Sequence, residues 1–214
     1  MIELLGAAIT FAQGRPEVVT AALLRHLALC GAALGLAVGL GLPLGLLAAR
    51  GVALAEGLVA AVSALRVVPS LAILFIAVPV LGIGFAPALL ALSLLAAPPV
   101  LLATVAGFRG VDADLKRVAR GMGMSPLQQL RRVETPLAAP VVASGLRTAS
   151  VEVIASATLA AFIGAGGLGD FITLGFQLNR PAIMLVGAVP VALLALGSEV
   201  AFGLLDRWLG RWQA

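Results

Sequence analysis

The chain has 214 residues, 61% of them hydrophobic and 11% charged, with a net charge of +4. A soluble domain carries about 25% charged and roughly 45–50% apolar residues, so composition excludes a water-soluble globular domain. The mean hydropathy of +1.13 fits a bilayer, where a helical span needs about 20 apolar residues. The expected fold is an all-α integral membrane protein.

The opening stretch, MIELLGAAITFAQGRPE, lacks a basic n-region and contains Glu3. It reads as a short interfacial segment before the first span, not as a cleaved signal. The first span is expected at about 20–49, closed by Arg50, with His26 near its start as a polar edge residue and not a ligand or proton relay. Cys30 sits in an apolar run with no metal-ligand spacing around it, which makes it a small buried residue. The second span, about 52–81, is broken by RVVPS at 66–70. Pro69 removes a backbone donor, giving one long bent helix or, alternatively, two shorter segments. GIGFAP at 82–87 is a turn, and the third span follows at about 86–107. The fourth span is about 137–163, GAGGLGD at 164–170 opens a loop reaching Pro181, and the fifth span is about 182–205.

About five spans, within a single transmembrane domain of 1–214, put Arg50, the 108–136 stretch and the C-terminus on one side. Arg109, Lys116, Arg117, Arg120, Arg131, Arg132, Arg207 and Arg211 join Arg50 there, against Arg15 and Arg180 on the other. The excess of Lys and Arg places that side in the cytoplasm and the N-terminus outside. The same clustering, between spans, removes the case for nucleic acid that a pI of 11.0 would raise. Six spans would reverse the N-terminus, and would need both halves of 52–81 to cross separately. Trp208 and Trp212, interleaved with Arg207 and Arg211, suit an interfacial anchor.

Residues 108–136 hold nine of the 24 charged residues and carry helix signals. Asp112 or Asp114 can cap a first helix reaching about Arg120, with Gly121 and Gly123 ending it. Ser125, Pro126 and Gln128 then spell a capping box with proline at the first helical position. The second helix is expected to reach Val133 and stop before Pro136. Its apolar residues, Met122, Met124, Leu127, Leu130 and Val133, are flanked by Arg131 and Arg132. Such a helix suits docking into a groove of a soluble partner or lying on the membrane surface; both readings stand open at this point.

The stretch resembles the cytoplasmic loop of ATP-binding-cassette (ABC) importer permeases: Glu-Ala-Ala, three residues, Gly, nine residues, aliphatic, any residue, aliphatic, Pro. The spacing falls on Arg117, Val118 and Ala119, then Gly123, then Val133, Thr135 and Pro136. Ala119, Gly123, Val133 and Pro136 fit; Arg117 replaces the acid, Val118 the first Ala and Thr135 the last aliphatic residue. Around it, RVVPSLAILFIAVPVLGIGFAPALLAL, ARGMGMSPLQQLRRVETPLAAPVVASGLRTA and ATLAAFIGAGGLGDFI resemble permease subunits for glycine betaine, choline, carnitine and related osmoprotectants, over about 60–210. Methionine-importer permeases are the nearest rival. The resemblance implies the methionine-importer-like transmembrane fold in the bacterial cytoplasmic (inner) membrane. It also implies that the 108–136 loop is a coupling helix seated in a cytoplasmic ABC ATPase, through Arg117, Val118, Ala119, Gly121, Gly123, Ser125, Pro126, Val133 and Pro136. It implies as further partners a second permease copy or paralogue and an extracytoplasmic substrate-binding protein. The chain itself is then not an enzyme and binds no cofactor, ATP and Mg being held by the ATPase.

Span four carries Ser144, Thr148, Glu152 and Ser156, a stripe of polar residues at spacing four. An ionisable group inside a membrane faces a cavity or a partner, so the stripe lines the translocation path or makes a helix–helix contact. Arg147 and Arg66 are candidate partners for Glu152, while Glu199 and Glu56 suit helix ends or packing seams. GAGGLGD is not a nucleotide loop, since no strand precedes it and no Gly-Lys-Ser/Thr follows; it suits a tight turn and a short outer helix for a binding protein to meet. Quaternary ammonium ions are caged by Trp or Tyr, yet the chain has no Tyr and both Trp lie at its end. High-affinity recognition therefore belongs to the separate binding protein. An ion-coupled secondary transporter would want inverted repeats or more intramembrane acids, and a membrane enzyme a nucleophile–base pair; neither pattern is present.

Overall fold

The computed structural model describes residues 2–210, with no side-chain placement described for 2, 52–55, 209 and 210. Arg211 and Trp212, half of the expected interfacial anchor, lie outside the described residues. Helices α1 (Ile2–Gln13), α2 (Pro16–Arg50), α3 (Val52–Leu65), α4 (Ser70–Leu81) and α5 (Phe85–Arg109) lead to two short ones, α6 (Ala113–Gly121) and α7 (Pro126–Gln129). A π-helical turn, Leu130–Glu134, runs into α8 (Thr135–Ser156), which tightens to a 3-10 stretch at Ala157–Ile163; α9 (Gly169–Gln177) and α10 (Pro181–Gly210) complete the chain. By length and composition four helices can cross a membrane: Pro16–Arg50, Phe85–Arg109, Pro126–Ile163 and Pro181–Trp208. The pair Glu56–Leu65 and Ser70–Leu81, bent by 89°, makes a fifth span if counted as one. Of the two alternatives for 52–81, the chain thus takes two helices with a sharp turn at Arg66–Pro69, where proline fixes an extended backbone before Ser70.

Helix α5 is the centre of the bundle, with α2 on one flank and α8 on another. Small residues let the backbones close up, as helix packing in lipid requires. A Cβ at Gly45 of α2 would lie 2.6 Å from Thr104 Cβ, and one at Gly145 of α8 would lie 2.3 Å from Ala103 Cβ. Leu29, Leu74, Leu92, Val100 and Val153 fill the core between them, and Cys30 is buried there as expected. Large apolar residues of α10, among them Leu193, Leu196 and Val200, are left uncovered by the described residues, as a surface facing lipid or a neighbouring subunit would be.

Three expectations change. The N-terminal segment is not merely interfacial: α1 docks on the body, burying Ala8 with Phe171, Ile183 and Val186, because its apolar face gains more there than at a headgroup boundary. His26 is no edge residue but fully buried, its Nε2 donating to Ile154 O at 3.2 Å. Finally, Pro136 does not stop the helix that begins at Pro126. The π turn carries it through: Thr135 N donates to Leu130 O, five residues back. This widened turn falls just where a proline would otherwise clash with the preceding carbonyl ladder.

Candidate functional site

The polar island between α5 and α8 is built from local rules. Asp112, and not Asp114, caps α6 by accepting from Asp114 N at 2.7 Å. Lys116 Nζ reaches back to Phe108 O at 3.1 Å and ties α6 to the end of α5; Arg117 pairs with Asp114 on the open face. Helix α6 runs one residue beyond expectation, to Gly121. Gly123 then adopts φ +76°, its N donating to Arg120 O at 2.9 Å, while Met124 N donates to Ala119 O at 3.2 Å. This pair of bonds is the Schellman closure that a left-handed glycine permits. Ser125 completes the capping box in both directions, Ser125 N to Gln128 Oε1 at 2.8 Å and Gln128 N to Ser125 Oγ at 3.4 Å.

Of the residues picked from the motif, Ala119 alone is buried, and it anchors α6. Val133 is half-buried in the π turn, while Arg117, Val118, Gly121, Gly123, Ser125, Pro126 and Pro136 are exposed. Val118, Met122 and Leu127 add exposed apolar surface, Met122 at 71%. Capping order combined with exposed Met, Leu and Val gives a rigid knob whose apolar side is left uncovered by the described residues.

The stripe on α8 divides that helix cleanly. Gly145, Ala149 and Val153 are buried on the α5 side. Ser144 and Thr148 are exposed, their hydroxyls donating to Val141 O at 2.7 Å and Ser144 O at 3.1 Å on their own helix. Glu152 and Ser156 are half-buried further along. The structure gives Glu152 one of its two candidate partners, Arg66, at 3.9 Å across the α3–α4 turn. Arg147 goes elsewhere: it hydrogen-bonds Glu199 and lies 3.6 Å from Asp206 on α10. The reason is helical phase, since positions 147 and 152 lie about 140° apart on α8 and 147 meets α10. Glu199 occupies the packing seam expected for it. Asp206 was not foreseen, because no spacing rule links it to a residue so far away in the chain.

On the opposite end, Gly164, Gly166 and Gly167 all take positive φ and α9 follows, matching the expected turn and short helix. Arg25 of α2 donates from Nε to Ala165 O at 3.0 Å, and its guanidinium stacks 5.0 Å from the Phe85 ring centroid. Gly84 N donates to Ile163 O at 2.8 Å. No group of His, Cys, Asp or Glu among the described residues can hold a metal ion.

Comparison with known proteins agrees with this architecture. A family model described as "Binding-protein-dependent transport system inner membrane component" matches residues 41–211. The carnitine transport permease protein OpuCB of Listeria monocytogenes is 43% identical over 200 residues, 94% of this chain and 92% of that protein. The choline transport system permease protein OpuBB of Bacillus subtilis (strain 168) is 45% identical over 148 residues, 69% of this chain and 68% of its own length. Among solved structures, inward-facing MetNI methionine ABC transporter matches with a TM-score of 0.78 at 22% identity, over 90% of this chain and 96% of that one.

Proposed function

The chain belongs to the family of binding-protein-dependent transport system inner membrane components, and from that premise we propose that it is the permease subunit of an ABC importer for quaternary-ammonium osmoprotectants such as carnitine, choline or glycine betaine. The near-full-length identity with a carnitine permease carries this reading. The likeness to the methionine transporter supports the fold only, so an amino-acid substrate gains nothing from it. In this reading the chain hydrolyses nothing itself; a separate cytoplasmic ATPase holds ATP and Mg.

Residues 108–136 form the surface that grips that ATPase. Arg117, Val118, Gly121, Gly123, Ser125 and Pro126 face outward on a capped knob, Ala119 fixes it to the body, and Val133 and Pro136 join it to α8. Since the helix runs unbroken through the π turn, a push on the knob is delivered along α8 to the Ser144–Thr148–Glu152–Ser156 stripe. That stripe faces the translocation path, completed by a second permease copy or a paralogue. The basic side, with the knob and the C-terminus, is cytoplasmic; the N-terminus and the α9 end face outward in a bacterial cytoplasmic membrane, where an extracytoplasmic binding protein delivers solute.

Co-reconstitution with the ATPase and the binding protein tests this. Uptake of glycine betaine, carnitine or choline is expected to survive collapse of ion gradients and to stop when the ATPase is inactivated. Uptake that follows the gradient instead would replace the reading with ion-coupled transport. A cysteine at Met122 is expected to crosslink to the ATPase in intact cells; a knob labelled from outside the cell would refute the orientation.

A further inference from the structure

Among the described residues, two ion pairs within the spans differ in construction. Arg147 is in direct hydrogen bond with Glu199 and has Asp206 behind it, which joins α8 to α10. Arg66 and Glu152 stand 3.9 Å apart with side chains 46% and 37% exposed. Charge-assisted bonds close to about 2.7–2.9 Å when they are fully made, so this second pair is in register but open. Both residues line one cavity of about 120 Å³, walled by Ile73, Leu94, Leu95 and Pro98. The cavity lies at the Arg66–Pro69 break between α3 and α4, and on the uncovered stripe of α8. Broken helices within a membrane are a recurring place for transporter substrate sites.

Resting on the osmoprotectant reading above, we infer that Arg66 and Glu152 form a zwitterion-selective relay site within the permease. The Arg66 guanidinium takes the carboxylate of a betaine-type solute, Glu152 faces its quaternary ammonium, and the Leu and Ile walls contact the methyl groups. Inserting a zwitterion replaces one open ion pair by two, with charges alternating, and leaves the site neutral. A bare cation such as choline satisfies Glu152 but leaves Arg66 uncompensated, which is costly away from water. The site therefore sorts zwitterions from cations after the binding protein has released them.

The test is equilibrium binding of radiolabelled glycine betaine and, separately, choline to the purified permease–ATPase complex, without binding protein. Arg66→Gln is expected to weaken glycine betaine binding about tenfold or more while tightening choline binding, whose uncompensated neighbour it removes; Glu152→Gln is expected to weaken both. Equal weakening of both ligands by Arg66→Gln, no weakening of either, or no saturable glycine betaine binding by the unaltered complex would each overturn the inference. Should Arg66→Gln fail to assemble, Arg66→Lys keeps the charge, loses the planar fork, and is expected to weaken glycine betaine alone; weakening of both ligands overturns the inference. ATP-driven uptake by the unaltered complex with its binding protein is read in parallel. Failure there removes the functional reading, whereas intact uptake with an unselective Arg66 variant removes only the relay site.

Discussion

The left-handed glycine turns at 121–128 and 164–168 share a local closure but differ in what surrounds them. At 121–128 the turn is closed by neighbours in the chain: Ala119 and Arg120 accept from Met124 and Gly123, and Ser125 and Gln128 cap one another. At 164–168 the same local closure is made, Gly164 N donating to Ala161 O at 3.1 Å and Ala165 N to Ala160 O at 3.0 Å, but distant parts of the chain also pack onto it. Arg25 donates to Ala165 O, Gly167 leans on His26, and Leu168 is fully buried. The first holds its shape while exposing its surface, as the proposed contact with an ATPase would need. The second adds contacts with the packed body to its own backbone closure.

Substitutions can break or sharpen that contrast. Gly169→Val, at the start of α9, is expected to do most damage, since a Cβ there would lie 2.2 Å from Thr158 O. Overpacking against backbone costs roughly 3 kcal/mol or more, so folded permease should be lost from detergent extracts judged by gel filtration. Arg25→Ala removes a hydrogen bond and a cation–π contact, together worth about 2 kcal/mol. It should lower the thermal midpoint of the purified permease while leaving the knob able to bind the ATPase. Gly123→Val forces a β-branched residue into the left-handed region at about 1–2 kcal/mol. The strain is local, so insertion and thermal midpoint should hold while ATP-driven uptake falls at least severalfold; a midpoint drop as large as that of Arg25→Ala would show that the knob is not independent. Ser125→Ala removes one cap, about 1 kcal/mol, and should weaken association with the ATPase without changing folded yield, as pull-down titration would show.

The same contrast explains what was legible beforehand. Capping and Schellman geometry depend on residues a few positions apart, so Gly123 and Ser125 declared themselves in the sequence, and the first cap was narrowed to Asp112 or Asp114. Cys30 in its apolar run was equally plain. The passage of the helix through Pro136 was not, because a π turn is invisible to spacing rules based on 3.6 residues per turn. Nor was the fate of Arg147, which chose Glu199 and Asp206 on α10 over Glu152 on its own helix. His26 looked like an edge residue because the buried carbonyl it bonds, Ile154 O, belongs to another span.

By itself, then, the amino-acid order determined that this protein lives in a bilayer, roughly where its apolar helices run, and where one capped polar knob interrupts them. These follow from hydrophobic run length and short-range hydrogen bonding, both readable along a line. The tertiary structure alone decided that α5 is central, that α1 docks on the body, and that Arg66 rather than Arg147 faces Glu152. Those outcomes depend on which helix faces meet, and that is fixed by close approach at Gly45 and Gly145 and by the break at Pro69, acting between residues far apart in the chain.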